Sequence, residues 1–571
     1  MADFTVSLSA YTAAFDGKVR GTDPAGVYVV DLPANSIFVD NTLGADITDG
    51  SYSIASRNGT GSDGDAYTTI QAAINAVTVG WTILLRNGTY TEVGIDVPES
   101  KNGTAWTAGN FTTIKSYPGE WAKVDSTGLS TAAAWPLQCA FTHPSNYDVS
   151  GDNTGYNEYW VFSNFEITGA FMGIFLKMRN CDIKWMYIHD NGRTFASVGN
   201  ELFAGIYSSA PQYVTIKYCW IADNDQSDLV NANNSNIIFS SDYLDDTGGD
   251  GSATVYDAAS HHNEIAYNFI SGSEIGIHQK NQQRFGLNNR NPNDPTYEDY
   301  GDKWHHNIVL GTINSSISAD QDFCQVYNNI TEQGISLSRP GQSPIVYNMC
   351  VYNNSIKMNG VLNSYAGIAT SGGYYATDTN YYDVAAQKTI HEHINVFNNI
   401  IDEGTGDNGS VIMLRPAANY DAAGNPDYDD ADLNLDRNLQ FNKSGTDYSS
   451  ISAYGATAGP TQTVAQLNTY IDTARSLTPG TTKNWDNTGS GLWVGGTGSD
   501  QYKVTGTYDI DGTYTAADGG ITTHPYLAGV TPPAYVGAVD PDDGAWVNGV
   551  NDSVPTIAWL QSQTSDPTWV E

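Results

Sequence analysis

The sequence predicts an all-β chain wound into a solenoid, and three observations lead there. Short apolar runs recur along the chain with small polar turn residues between them, and few stretches carry helical periodicity. The runs repeat: CDIKWMYIHDN (181–191) and YVTIKYCWIADN (213–224) align with their Ile-Lys pairs 33 residues apart, and a Gly-Ile start recurs in GIFLK at 173, GIYSS at 205, GIHQK at 276, GISLS at 334 and GIATS at 367. Asparagine also recurs inside apolar runs, as in EIAYNFISG, HHNIVLG, QVYNNITEQG, IVYNMCVYNN and INVFNNIIDEG.

Each of these features has a physical reason in a coiled chain. A single coil cannot bury its inward face alone, so neighbouring coils must stack. The recurrent asparagines suit inward-facing turn positions, where side-chain amides hydrogen-bond from one coil to the next. Beside buried strands and without that role, they would be unsatisfied polar groups. Gly at 57 residues and Tyr at 36 fit strands and tight bends.

The N-terminal part reads, in order, IFVDNTLGAD, AYTTIQAAINAV, WTILLRNGTYTE and FTTIKSYPGEWAKVDSTG. Ile70, Ala73, Ile74 and Val77 stand at helical spacing, which predicts one short amphipathic helix suited to plugging an open solenoid end. A strand, a helix with an IQAAI core, a strand ending NGTY and a segment ending YPGE together resemble the N-terminal part of right-handed parallel β-helix proteins of the pectate-lyase-like superfamily. The resemblance covers about residues 37–445. It implies a right-handed parallel β-helix with an N-terminal capping helix and a β-rich C-terminal extension. That architecture carries lyases, hydrolases, epimerases and phage tailspikes, so it does not by itself set the activity. The expected organisation is a lead or attachment segment over 1–36, a cap and first coils over 37–135, the β-helix over 136–445, and a C-terminal extension over 446–571. Within that last segment, THPYLAGVTPPAYVGAVDP is similar to the closing tail of many secreted β-helix proteins.

Charge narrows the partners. A formal charge of −38 excludes nucleic acid as the main ligand, because phosphate binding needs basic patches that release counterions. It likewise excludes an anionic membrane surface, and no apolar run is long enough to span a bilayer. A polyanionic substrate would be repelled overall and would need a local cationic site. The five cysteines, Cys139, Cys181, Cys219, Cys324 and Cys350, form no CxxC pair and read mostly as small buried hydrophobes. The start MADFTVSLSAY has neither a basic n-region nor an apolar h-region. The expected setting is extracellular with the leader absent, or a virion.

The scarce cations gather in one place. In SEIGIHQKNQQRFG (273–286), strand alternation places Ile275 and Ile277 on one side and Glu274, Gly276, His278 and Lys280 on the other. The isoleucines are expected in the core and the polar row on an exposed ridge. Lys280, Arg284, Arg290 and Lys303 are four of only 25 Lys plus Arg, and five of the ten histidines (His261, His262, His278, His305, His306) lie between 261 and 306. Arg290, Lys303, His305 and Asp320 are the candidates for holding a substrate.

Acidic clusters lie upstream: Asp223, Asp225 and Asp228 in DNDQSD, then Asp242, Asp245, Asp246 and Asp250 in DYLDDTGGD. Either offers the carboxylate oxygens that calcium takes in flexible geometry. An acidic cluster followed by a lysine resembles β-helix pectate lyases of the ninth polysaccharide lyase family. That resemblance implies Lys280 as the base, with Asp242, Asp245, Asp246 and Asp223 holding calcium. The chemistry is coherent, because the proton at C5 of a uronate is removable only when the neighbouring carboxylate is neutralised. A lysine serves as base only with a depressed pKa, which Arg284 would supply. Arg284 would alternatively stabilise the intermediate, and His278 or Glu274 would position substrate or shuttle protons.

The expected activity is therefore cleavage of an acidic, uronate-containing polysaccharide by β-elimination. Glycoside hydrolysis competes, using a carboxyl pair such as Asp320 and Asp322. A phage or virus spike that binds host-surface glycan, with glycosidase activity or none, is the alternative. The chain would be a monomer, or a homotrimer if a spike.

Overall fold

A computed structural model describes residues 33, 35–129, 136–143, 155–192, 203–225, 234–240, 260–280, 301–319 and 324–338, with separate strand segments between 346 and 451. The chain divides into two compact units, one built on Ser7–Glu274 and the other on Ile275–Leu560. Each is a stretch of right-handed parallel β-helix.

In the N-terminal unit successive coils contribute short strands to three parallel faces. The first face stacks Ser36–Val39, Thr82–Leu85, Thr112–Ser116, Trp160–Ser163, Asp182–Lys184, Thr215–Lys217 and Glu264–Ala266. Register aligns Ile83, Ile114, Phe162, Ile183, Ile216 and Ile265 in one column, all fully buried. The two Ile-Lys pairs read from the sequence meet here as Ile183 against Ile216 and Lys184 against Lys217. The second face has the same logic, with Val124, Ile167, Ile188, Ile221 and Ile270 in line. The third aligns Phe141, Ile174, Ile206 and Ile237. Each such side chain contributes about 1.5–3 kcal/mol by leaving water, and only stacking achieves it.

The predicted helix is α1, Ile70–Ala76. Thr69 caps it, its side chain accepting the Ala72 N–H, and the Glu92 carboxylate accepts the Ile70 and Gln71 N–H groups. Ile70, Ala73, Ile74 and Val77 are fully buried. α1 packs against Ser36–Val39, Ala66–Tyr67 and Ile95–Asp96. Ala66–Tyr67 and Ile95–Asp96 are end strands of the first and third sheets, so the helix covers the first coil as the sequence suggests.

A charged network centred on the buried Asp40 and Arg86 joins the first coils. Asp40 accepts hydrogen bonds from Tyr52 Oη (2.8 Å), Arg57 Nε (2.8 Å) and Thr42 Oγ1 (2.7 Å), while Arg86 donates to Tyr52 Oη and both oxygens of Glu120. Burial would raise the Asp40 pKa, but the hydrogen bonds from Arg57, Thr42 and Tyr52 outweigh it and hold the carboxyl well below its usual range. A group depressed on folding stabilises above its unfolded pKa, near 3.9 for aspartate, and loses that contribution as pH falls through the folded value. The N-terminal unit is thus expected to lose stability progressively below about pH 4. In Asp40→Asn that acid-dependent part should flatten, which urea unfolding followed at pH 5 and pH 3 would show.

In the C-terminal unit the third face stacks Ile275–Lys280, Ser315–Ser318, Ile335–Ser338 and Ile368–Thr370, with Ile277, Ile317, Ile335 and Ile368 in one column. The asparagine ladder is present. Asn307, Asn329, Asn354 and Asn399 occupy successive coils, and each of the first three donates its Nδ2–H and its backbone N–H to Oδ1 of the next at 3.0 Å. The second Nδ2–H of Asn329, Asn354 and Asn399 goes to the carbonyls of Trp304, Val326 and Val351 at 2.9 Å. In the N-terminal unit Asn268 plays the same part, bonding Cys219 N–H and the Ile216 carbonyl. Among the described residues, Tyr267, His306 and Asn328, which each precede a ladder position, take positive φ.

Cys139, Cys181, Cys219 and Cys324 are buried free thiols, as expected, and burial pushes Cys181 and Cys219 up to about 12. Among the described residues no helix is long and apolar enough to cross a membrane. Residues 1–32 and 452–571 lie outside the described residues, and with them most of the lead segment and C-terminal extension.

Candidate functional site

Lys280 closes the third-face strand Ile275–Lys280. Ile275 and Ile277 are buried at 3% and 1%, as alternation requires, but the polar row is not an exposed ridge: Glu274 is 5% exposed and His278 fully buried. Register sets His278 beside Ser318 and, one coil further, Ser336. Alternation assigns a strand two sides, and both sides of this strand are covered. A polymer lying outside cannot touch Glu274 or His278 as they stand. Gln279, also fully buried, extends the same strand.

The other candidates are distributed over the coil. Lys303 and His305 belong to the strand Lys303–His305 on the first face, not the third that carries Lys280. Lys303 is exposed, whereas His305 is buried, stacked on Tyr327 at 4.6 Å, with its Nδ1 2.6 Å from that of His306. His261 and His262 repeat that pairing at 2.7 Å. The histidine enrichment is thus partly turn architecture, since His262 and His306 both take positive φ.

Asp223 sits at the turn after the second-face strand Trp220–Ala222, with φ 55°. Gly169, Asp190 and Gly272 fill the same position in other coils, all with positive φ. That conformation favours glycine and tolerates aspartate, so the turn gives Asp223 a structural reason to be there. Among the described residues no group of three or more His, Cys, Asp or Glu is placed to hold a metal. Asp242, Asp245, Asp246 and Asp250 lie outside the described residues, as do Arg284, Arg290 and Asp320.

The structure also brings together residues that the sequence reading passed over. In the N-terminal unit Lys177 directly follows the third-face strand Met172–Leu176. Its Nζ lies 4.5 Å from the Tyr156 ring centre, and the Arg179 guanidinium lies 4.5 Å from the same ring. Arg179 is ion-paired with Glu158, and Gln212 Nε2 donates to Tyr156 Oη at 3.2 Å. Burial, with His262 and Arg179 adding to it, pushes His261 down to about 4, so it is neutral at pH 7. The signal was available: GIFLK and GIHQK both set a lysine four residues after the glycine, Gly173 to Lys177 and Gly276 to Lys280.

On the second face, Glu166 accepts from Trp121 Nε1 at 3.0 Å and lies 3.1 Å from His189 Nε2, while His189 Nδ1 lies 2.6 Å from Asp190. Burial would raise the Glu166 pKa, but bonds from His189 and Trp121 hold it below the usual range. It is a charged acceptor at neutral pH and not a proton donor.

No family model and no curated protein matches the chain. Among solved structures, it is similar to pectate lyase Pel9A, with 12% identity over 69% of this chain and 81% of that one and a TM-score of 0.39. The catalytic unit of an α-1,3-glucanase from Streptomyces thermodiastaticus strain HF3-3 shows 12% identity over 75% and 68%, with a TM-score of 0.40. An endo-xylogalacturonan hydrolase from Aspergillus tubingensis shows 11% identity over 68% and 95%, with a TM-score of 0.37. Likeness at this level says nothing of site or substrate, and the parallel β-helix assigned to this chain stands on its own strand pairing.

Proposed function

We propose that the chain binds an acidic polysaccharide at the end of the third-face strand that Lys280 closes and cleaves it by β-elimination, with Lys280 as the base. The observation that carries this reading is the repeated placement of lysine. In a chain with 25 cations against 63 acids, a lysine stands at the end of a third-face strand in each unit, Lys280 at the last strand position and Lys177, itself buried over Tyr156, just past it. Within the unit that holds Lys280, neighbouring strands of this face lie about 4.8 Å apart, so a polymer crossing their ends would meet one coil after another.

In the proposed reaction the Lys280 amine takes the C5 proton of a uronate. The C5–H electron pair becomes the C4=C5 double bond, the C4–O bond breaks, and the leaving oxygen takes up a proton. Calcium held by the Asp242–Asp250 segment would neutralise the uronate carboxylate. Glu274 and His278, being buried, would act on the strand that carries Lys280 and not on the sugar. The chain would work outside the cell or on a virion.

The test is incubation with polygalacturonate, alginate and a neutral glucan, with and without calcium, while following absorbance of the unsaturated product. Product from a uronate polymer and none from the glucan is expected, with chelation suppressing it. If neither uronate polymer yields product, the elimination reading fails. Binding without product would favour the spike-like alternative.

A further inference from the structure

Two adjacent columns of side chains cross four successive coils of the N-terminal unit, where the chain passes from the third face to the first. The inner column is Glu158, Arg179, Gln212 and His261, paired in that order by parallel bridges. The next residue of each coil forms the outer column: Tyr159, Asn180, Tyr213 and His262, with φ of 54°, 51°, 54° and 56°. Backbone bonds lock the two together, Asn180 N–H to the Gln212 carbonyl at 2.8 Å and Tyr213 N–H to the His261 carbonyl at 3.1 Å.

The coil dictates the positive φ, but not the residue that adopts it. Glycine or asparagine would meet that conformation with least strain. At the turn between the first and second faces, stacking explains the aromatics that stand there. Trp185, Tyr218 and Tyr267 form a continuous pile, with ring centres 4.3 Å and 5.3 Å apart, and Trp185 is 4% exposed. The outer column has no such continuity. Asn180 interrupts it, and Tyr213 remains 47% exposed with His262 stacked 4.5 Å away. Folding alone does not call for a half-exposed tyrosine there.

One coil back, register sets Arg179 beside Gln212, the residue before Tyr213; its side chain is 35% exposed, its guanidinium is paired with Glu158 and lies over Tyr156, and the Lys177 amine lies over the same ring. An exposed aromatic face with a guanidinium one coil away suits a sugar ring bearing a carboxylate, since the ring's C–H groups lie on the tyrosine and the sugar carboxylate would compete with Glu158 for the arginine. Stacked bases with phosphates would use the same pair of groups, but the −38 charge of the chain opposes a nucleic acid.

We infer that this corner of the N-terminal unit is a binding strip for an acidic glycan, with Tyr213 stacking on a sugar ring and Arg179 holding its carboxylate. The inference rests on the proposed function only for the class of ligand, and needs no catalysis.

The test uses the full chain carrying Lys280→Ala, so that polymer is not consumed, titrated calorimetrically with uronate oligomers, a neutral xylan and a single-stranded oligonucleotide. Uronate oligomers should bind in preference to the other two. Tyr213→Ala should weaken that binding about fivefold to tenfold, and Tyr213→Phe should keep it. Arg179→Gln should weaken it about tenfold and reduce its salt dependence. The strip is overturned if both weakening variants bind like their parent, if xylan or the oligonucleotide binds as well as the uronate, or if no uronate oligomer binds. Absence of product from the wild-type chain with binding intact would sink the elimination reading alone, so the two failures are distinguishable.

Discussion

Asn329→Ala should lower the unfolding free energy by on the order of 4 kcal/mol, a large loss for a single polar truncation. Asn329 uses its whole amide: Oδ1 accepts from the backbone and side-chain N–H groups of Asn307, while Nδ2 donates to Asn354 and to the Trp304 carbonyl. Truncation leaves two Asn307 donors and one carbonyl without these partners in a fully buried interior. Each orphan costs about 1–3 kcal/mol. Urea unfolding would measure the loss, and a change under about 1 kcal/mol would mean that the ladder holds nothing. A surface control such as Lys303→Ala should move the midpoint little.

Lys280→Ala should reduce turnover of a uronate polymer by about 10²–10⁴-fold, the usual contribution of a positioned base. Lys280→Arg should not rescue it, because a guanidinium stays protonated at any working pH and has no lone pair to offer. Initial rates of product absorbance would measure both variants, with circular dichroism confirming that the strand is intact. Full activity in Lys280→Ala would remove the lysine from the mechanism. His278→Ala is a poorer probe, since a fully buried ring affects packing before chemistry.

Much of the fold was legible because a solenoid writes its register into local sequence. The Ile-Lys pairs 33 residues apart became neighbours in the first sheet, IQAAI became α1, and the asparagines inside apolar runs became the ladder. The exposure of Glu274 and His278 was not legible. Period-two alternation separates the two sides of a strand, but what lies over the outer side is decided by other parts of the chain. Nor did proximity in sequence reveal the face: His305 follows His278 by fewer than thirty residues and yet belongs to a different sheet. The corner around Tyr213 escaped notice because its four members come from four coils. Only the register shows them adjacent.

The helix α1 has a consequence beyond the interior it covers. Parallel coils behave like a one-dimensional crystal: each finished layer is a template for the next, and nothing in the strand pairing says where growth should end. A bare terminal layer would accept a foreign strand as readily as one of its own. By laying Ile70, Ala73 and Ile74 across that layer, α1 acts as a chain terminator at this end, closing to other molecules the layer on which their strands could otherwise add.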